Sequence, residues 1–197
     1  LDRFAIDVRG RRALDAGAAA GGFTDCLLDA GAAEVVAVDV GRGQFAWELR
    51  NDPRVTLLER TNVRGLDARA IAGAVGVVAA DLSFISLVTV APALARCSTA
   101  DADLALLVKP QFEAGRGRVG EKGVVRDPGV HRAVLREVRD GLAAADLVAV
   151  AAMTSPLRGA DGNVEFLFHC RKHGVPVDNG ALDACVDDAV EHPRARR

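Results

Sequence analysis

The feature that most limits what this chain can fold into is its alternation of short, strand-like apolar runs with helical stretches. Arg12–Ala16 is brief and apolar, and the turn Gly17–Gly22 ends it. Phe23–Ala30 then reads as helix, with Phe23, Cys26 and Leu27 at helical spacing and Gly31 placed to stop it. Glu34–Val40 is a nearly continuous apolar run, as expected of a strand covered on both faces. Gln44–Arg50 reads as a short helix carrying Trp47 and closed by Asn51-Asp52-Pro53. Val55–Leu58 and Val75–Ala80 make a third and a fourth strand. Ile85–Arg96 is helical, with Pro92 expected in a first turn or at a kink. Leu104–Val108 is a fifth strand, and Pro128–Ala145 a helix with Val130, Val134, Val138 and Leu142 on one stripe. Leu147–Met153 and Val164–Cys170 are the sixth and seventh strands. Only the turn-rich Ser155–Asn163 separates these two, so they should pair as antiparallel neighbours. The pattern predicts an α/β fold: a doubly wound, mostly parallel seven-stranded sheet of Rossmann-like type with an antiparallel terminal hairpin. From Gly174 the chain turns polar and closes on an Arg-rich run. Residues 173–197 are expected to form a loosely attached tail with at most one helix, Gly180–Val190.

Composition removes several classes. A net charge of −2 over 197 residues gives no overall pull toward nucleic acid or an anionic membrane, so any such affinity needs a local patch. Runs such as Val35–Val40 and Leu104–Val108 fall far short of the roughly 20 residues of a membrane span. No signal peptide is visible, and the first residue is Leu, as expected for a piece of a longer chain. The cysteines Cys26, Cys97, Cys170 and Cys185 include no C-x-x-C pair and make no cluster with the four histidines. They are expected to be small buried or half-buried thiols in a reducing, cytoplasmic protein without structural metal.

In open α/β sheets ligands bind beyond the carboxyl ends of the strands, where strand order reverses. The polar residues at those ends are Asp15, Asp39, Thr61-Asn62, Asp81, Lys109 and, in the hairpin, Glu165. Gly17, Gly21 and Gly22 let backbone approach a ligand closely, and with Phe23 they are expected to contact the cofactor. Asp39, near the end of the second strand, stands where an acid takes both hydroxyls of a ribose. Together they indicate a nucleoside-containing cofactor. A dinucleotide would need G-x-G-x-x-G, but Ala19 occupies the second glycine position, and Asp15 is poorly placed beside a pyrophosphate. An acid there suits a cofactor with an ammonium and a sulfonium, which is S-adenosylmethionine. Lys109 follows four apolar residues, and Asp81 on an adjacent strand is its natural counter-ion. The loop Gln111–Asp127 sets Arg116, Arg118, Lys122 and Arg126 beside that lysine, as would suit a phosphate-bearing polymer if the loop is flexible.

The runs LDAGAAAGGFTDCLLDAGAAEVVAVDVGRGQFAWELRNDPRV, LLERTNVR, ADLSFISL, LLVKPQFEAGR, GVVRDP and GNVEFLF resemble the TlyA-type ribosomal RNA methyltransferases, once labelled hemolysins. That family carries an FtsJ/RrmJ-like catalytic domain, and the resemblance spans about Leu1 to Lys172. It implies the methyltransferase variety of the Rossmann-like fold and 2′-O-methylation of cytidine ribose in ribosomal RNA, with S-adenosylmethionine as donor and ribosomal RNA or ribosomal subunits as partner. Of the family's Lys-Asp-Lys-Glu set, Asp81, Lys109 and Glu165 match the last three. The first lysine and the N-terminal RNA-binding domain are expected upstream of Leu1. Under this reading Asp15 and Gly17 hold the amino-acid end of the cofactor, Asp39 its ribose, and Asn62 approaches the adenine. Asp81 orients Lys109 and lines the methyl-transfer site. Lys109 either accepts the proton of the ribose hydroxyl or stabilises the alkoxide. Ala19-Ala20 replaces the family's usual Ser-Thr, which should weaken cofactor binding. The rival readings are a nucleotide-dependent oxidoreductase, disfavoured by the glycine spacing, and a non-catalytic RNA-binding protein that retains the fold.

Overall fold

A computed structural model describes residues 1–192, apart from the side chain of Arg116; the closing Arg-rich run lies outside the described residues. The strands are β1 (Arg12–Ala16), β2 (Glu34–Val38), β3 (Val55–Leu58), β4 (Val75–Ala80), β5 (Ser98–Val108), β6 (Val148–Thr154) and β7 (Phe166–Arg171). They form one seven-stranded sheet in the order β3-β2-β1-β4-β5-β7-β6. The first five run parallel, while β7 is inserted antiparallel between β5 and β6. Strand order therefore reverses between β1 and β4, which places the ligand crevice there.

The helices are α1 (Gly22–Asp29), α2 (Trp47–Arg50), α3 (Leu87–Cys97), α4 (Pro110–Glu113), α5 (Pro128–Ala143) and α6 (Asn179–Glu191). Alternate residues on the strands supply two cores. Leu14, Val36, Val78, Leu104, Leu106 and Phe168 face α3, α5 and α6, whereas Ala13, Val35 and Val77 face α1 through Leu27 and Leu28. The α5 start was written in the sequence. Pro128 occupies its first turn, where no amide hydrogen is needed, and the Asp127 carboxylate accepts from Gly129 N at 2.7 Å. Pro92 sits inside α3 rather than in its first turn.

Three expectations need correction. The helix expected over Gln44–Arg50 shrinks to its last turn, because Phe45 turns inward as a buried side chain near Leu49 and Leu57. The fifth strand starts six residues earlier than its apolar run. Its buried Asp103 is satisfied there by Arg11, His169 and Arg171, each at 2.8 Å, so a polar stretch can remain in the sheet. Most importantly, the C-terminal segment is not a loose tail. Leu182, Val186 and Ala189 of α6 belong to the larger core. Asp183 and Asp187 pair with Arg136 and Arg132 of α5, and Thr154 of β6 donates to the Cys185 carbonyl. The apolar 182/186/189 spacing was present, but the acidic residues between those positions disguised a packed face as a polar one. Leu182→Ala should accordingly destabilise the whole domain by about 2–5 kcal/mol, read as a shift of the urea midpoint. A variant unfolding at the wild-type midpoint would make α6 dispensable.

Candidate active site

A cleft of about 500 Å³ opens at the β1/β4 reversal, lined among others by Gly17, Ala19, Asp39, Asn62, Asp81 and Phe84. β1 ends on Ala16, and the Gly17 amide donates to the Val38 carbonyl at 2.8 Å, pulling the turn over the end of β2. Gly17 has φ +89°, and a Cβ there would lie 2.2 Å from the carbonyl oxygen of Asp81. Only glycine fits. Gly21 is similarly constrained at φ +100° against Leu49 and Phe45. Gly22 is not: it opens α1 in an ordinary conformation, with open space where a Cβ would be.

Asp15 has 0% of its surface exposed, on the α1 side of the sheet. Its Oδ2 accepts from the Thr24 hydroxyl at 2.7 Å, while its Oδ1 is buried without a hydrogen-bond partner. Burial pushes this carboxyl up to about 6 against the pull of Thr24, with Asp81 and Asp39 adding to the rise. A buried acceptor without a donor, beside a glycine turn that exposes backbone, fits a cationic group arriving from the cleft. Because the folded-state value lies above the unfolded one, the folded protein holds this proton more tightly. Its contribution to stability is largest below about pH 4 and is lost as pH rises toward about 6. Binding of a cationic ligand should have the opposite trend, strengthening over the same window as Asp15 ionises. Titration calorimetry with S-adenosylmethionine between pH 4.5 and 7 checks this; Asp15→Asn should flatten both trends, and an unchanged pH slope in that variant would exclude Asp15 as their source.

Asp39 is half-buried and already accepts from Ala19 N at 2.9 Å and Gly41 N at 2.6 Å. It therefore shapes both walls of the cleft, and its carboxylate retains lone pairs for further donors. Asn62 is exposed at the cleft wall, with its side-chain oxygen capping the turn Val63–Gly65 through Arg64 N at 3.0 Å. The side chain of Phe23, expected at the cofactor, does not line the cleft. It joins Leu1, Phe4, Cys26, Met153 and Leu167 around an apolar pocket away from the cleft lining, and Cys26 is exposed rather than buried.

On the other side of the reversal, Lys109 at the end of β5 is 8% exposed. Its Nζ lies 2.5 Å from Asp81 Oδ1 and donates to the Ser83 hydroxyl at 3.2 Å. The predicted pairing of adjacent strand ends is present. Glu165, 3% exposed, stands just before β7, where Gln111 donates to its Oε1 at 3.1 Å. The antiparallel insertion of β7 is what carries Glu165 to the same end of the sheet as Lys109.

The basic loop differs from its expected form. Val124 and Val125 are buried, Asn163 bridges Val125 N and the Gly123 carbonyl at 3.1 Å each, and His131 contacts the Val125 carbonyl. The loop is docked on the β6–β7 connection. Arg118 is committed to a two-pronged bond with Glu137 of α5 at 2.8 and 2.7 Å, while Lys122 and Arg126 are exposed. Arg116 lies in the turn Arg116–Arg118, and its side chain is outside the described residues. Sequence reasoning missed Phe84, which is 90% exposed at the cleft with φ 63°, its ring 5.0 Å from that of Phe112. A bulky residue in that backbone region carries a conformational cost. The hydrophobic pattern carries no trace of it. It also missed Arg42, Arg60 and Arg64, exposed next to cleft-lining segments with no side-chain bond or ion pair among the described residues.

No group of His, Cys, Asp and Glu among the described residues could hold a metal ion. No helix among the described residues is long and apolar enough to cross a membrane. Residues 1–172 match the model of a family described as FtsJ-like methyltransferase. The chain is 57% identical to the 16S/23S rRNA (cytidine-2′-O)-methyltransferase TlyA of Mycobacterium tuberculosis, over 96% of this chain and 70% of that protein. Hemolysin A of Brachyspira hyodysenteriae is 38% identical over 84% of this chain and 70% of its own length. A solved structure named "Putative hemolysin from Streptococcus thermophilus" superposes with a TM-score of 0.93 at 37% identity, covering 97% of this chain and 70% of that one.

Proposed function

The chain belongs to the FtsJ-like methyltransferase family, and from that premise we propose that it uses S-adenosylmethionine to methylate the 2′-hydroxyl of a cytidine ribose in ribosomal RNA. The substrate follows the printed activity of the relative from Mycobacterium tuberculosis. The observation that carries the reading is Lys109, held by Asp81 beside the cleft with Glu165 at the same strand ends.

When bound in the cleft, S-adenosylmethionine supplies a methyl group on a sulfonium. Asp15 and the Gly17 turn would hold its cationic amino-acid end, the free lone pairs of Asp39 its ribose hydroxyls, and Asn62 its adenine. Asp81 both lines the cleft and orients Lys109. Ion-paired as it is, Lys109 acts as a donor. It would donate to the ribose 2′-oxygen and stabilise the negative charge that grows there as the hydroxyl proton passes to water at the open cleft. The exposed ring of Phe84 offers a face on which an unpaired base can stack.

Labelled methyl transfer to ribosomal RNA tests this. A 2′-O-methyl group blocks alkaline cleavage at its own phosphodiester, so the label should emerge in alkali-resistant dinucleotides beginning with cytidine. Label recovered in ordinary mononucleotides would place the methyl on a base and overturn the reading. Phosphate contacts come from Arg42, Arg60 and Arg64 and from the exposed Lys122 and Arg126. Replacing the first three with alanine should lower the slope of log affinity against log salt by about 2. An unchanged slope would remove them from the RNA interface.

A further inference from the structure

The single turn α4 follows Lys109 directly, and three successive side chains in it reach three different elements. Gln111 donates to the Glu165 carboxylate. Phe112 packs on Phe84, in the loop that carries Asp81. The Glu113 carboxylate accepts from Leu87 N at 2.8 Å, at the first residue of α3, where that loop ends. Lys109 itself is bonded to Asp81 and Ser83 at the start of the same loop. The Asp81–Ser86 loop is therefore fastened to the Lys109–Glu113 segment at its beginning, middle and end.

Neither Gln111 nor Glu113 is needed for α4 to exist. Its turn is closed by backbone, Ala114 N to the Pro110 carbonyl at 2.9 Å, with Pro110 preset for a first turn. Glu113 is only half-buried, yet burial raises its carboxyl above the ordinary range while the Ser86 and Leu87 donors pull it down. An apolar residue would fill this place without that cost, but it would release the α3 amide and with it the end of the Asp81 loop.

We propose that Gln111 and Glu113 are positioning residues of the methyl-transfer centre: Glu113 sets where the Asp81 loop meets Lys109, and Gln111 sets Glu165 against the same lysine. The inference rests on the methyl-transfer reading above. It predicts a loss in the chemical step rather than in binding, because Gly17, Asp39 and Asn62 on the other wall of the cleft and the exposed arginines are untouched.

The test compares Glu113→Ala, Glu113→Gln and Gln111→Leu with wild type, measuring kcat and KM for RNA and the affinity for S-adenosylhomocysteine. Glu113→Ala and Gln111→Leu should lower kcat by about 100-fold, the scale of an ångström of misplacement, with KM and S-adenosylhomocysteine affinity within about threefold. Glu113→Gln keeps the acceptor for Leu87 N and should recover most of the rate. Wild-type kcat in Glu113→Ala, or equal losses in Glu113→Ala and Glu113→Gln, would overturn the role given to Glu113. Wild-type kcat in Gln111→Leu would overturn that of Gln111. If Glu113→Ala does not fold, Glu113→Asp, which keeps the charge but is one methylene too short, takes its place with the same expected loss. Amide hydrogen exchange separates this inference from the function it rests on. Exchange across residues 82–86 should quicken in Glu113→Ala and not in Glu113→Gln, whether or not the wild type methylates RNA; unchanged exchange in both overturns the coupling.

Discussion

Lys109→Ala is expected to lower the methyl-transfer rate by about 10²- to 10⁴-fold, the range for losing a positioned proton-handling or charge-stabilising group. The reason lies in placement. Lys109 has its ammonium against Asp81 and Ser83 at the end of β5, with α4 turning away behind it. S-adenosylhomocysteine affinity should stay within a few-fold, because the glycine turn, Asp39 and Asn62 stand on the other side of the β1/β4 reversal. Stability should fall less than for a fully buried ion pair, about 3–5 kcal/mol, since the surviving Asp81 is 22% exposed and can be solvated. Single-turnover transfer together with calorimetry measures both quantities. Full activity in the variant would remove Lys109 from the mechanism.

Gly17→Ala is expected to damage fold and cofactor site together. The substitution forces an L-residue into φ +89° and drives its Cβ to 2.2 Å from a backbone oxygen that has no rotamer with which to yield. Left-handed strain and overpacking together cost about 2–5 kcal/mol. The relief available is separation of the β1 turn from the Asp81 backbone, which opens the floor of the cleft. Urea denaturation should show the lost stability, and calorimetry a loss of S-adenosylhomocysteine binding. Gly22→Ala is the control. Its added methyl meets open space in a helix, where alanine is favoured over glycine by about 0.5–1 kcal/mol. Equal damage from the two substitutions would contradict the distinction between them.

Those two glycines show how much of the molecule the sequence discloses. Gly17 and Gly22 look alike in the chain, and only the approach of β4 distinguishes them. The sheet was legible because strands buried on both faces must be apolar where they are covered, as in residues 35–38 and Val75–Ala80. It became illegible where polar residues found partners far away in sequence. Asp103 keeps β5 in the sheet through Arg11, ninety-two residues distant, and through His169 and Arg171. The packing of α6 hid for the same reason, its acids answering arginines on α5. At the site, the pairing of Asp81 with Lys109 followed from adjacent strand ends. Phe84 did not, since a strained backbone angle leaves no mark in composition, and the commitment of Arg118 to Glu137 required knowing that α5 runs beside its loop.

The reversal between β1 and β4 also partitions what can vary. Gly17, Asp39 and Asn62 belong to β1, β2 and β3 and the turns after them, whereas Lys109 and Glu165 belong to β5 and the approach to β7. Only Asp81, at the seam, serves both. Because β7 runs backwards, Glu165 is delivered from a loop entering the sheet rather than leaving it. Insertions in Ser155–Asn163 can therefore remodel the acceptor side without shifting the donor side. The two groups of residues thus stand on opposite sides of one seam, and Asp81 joins them.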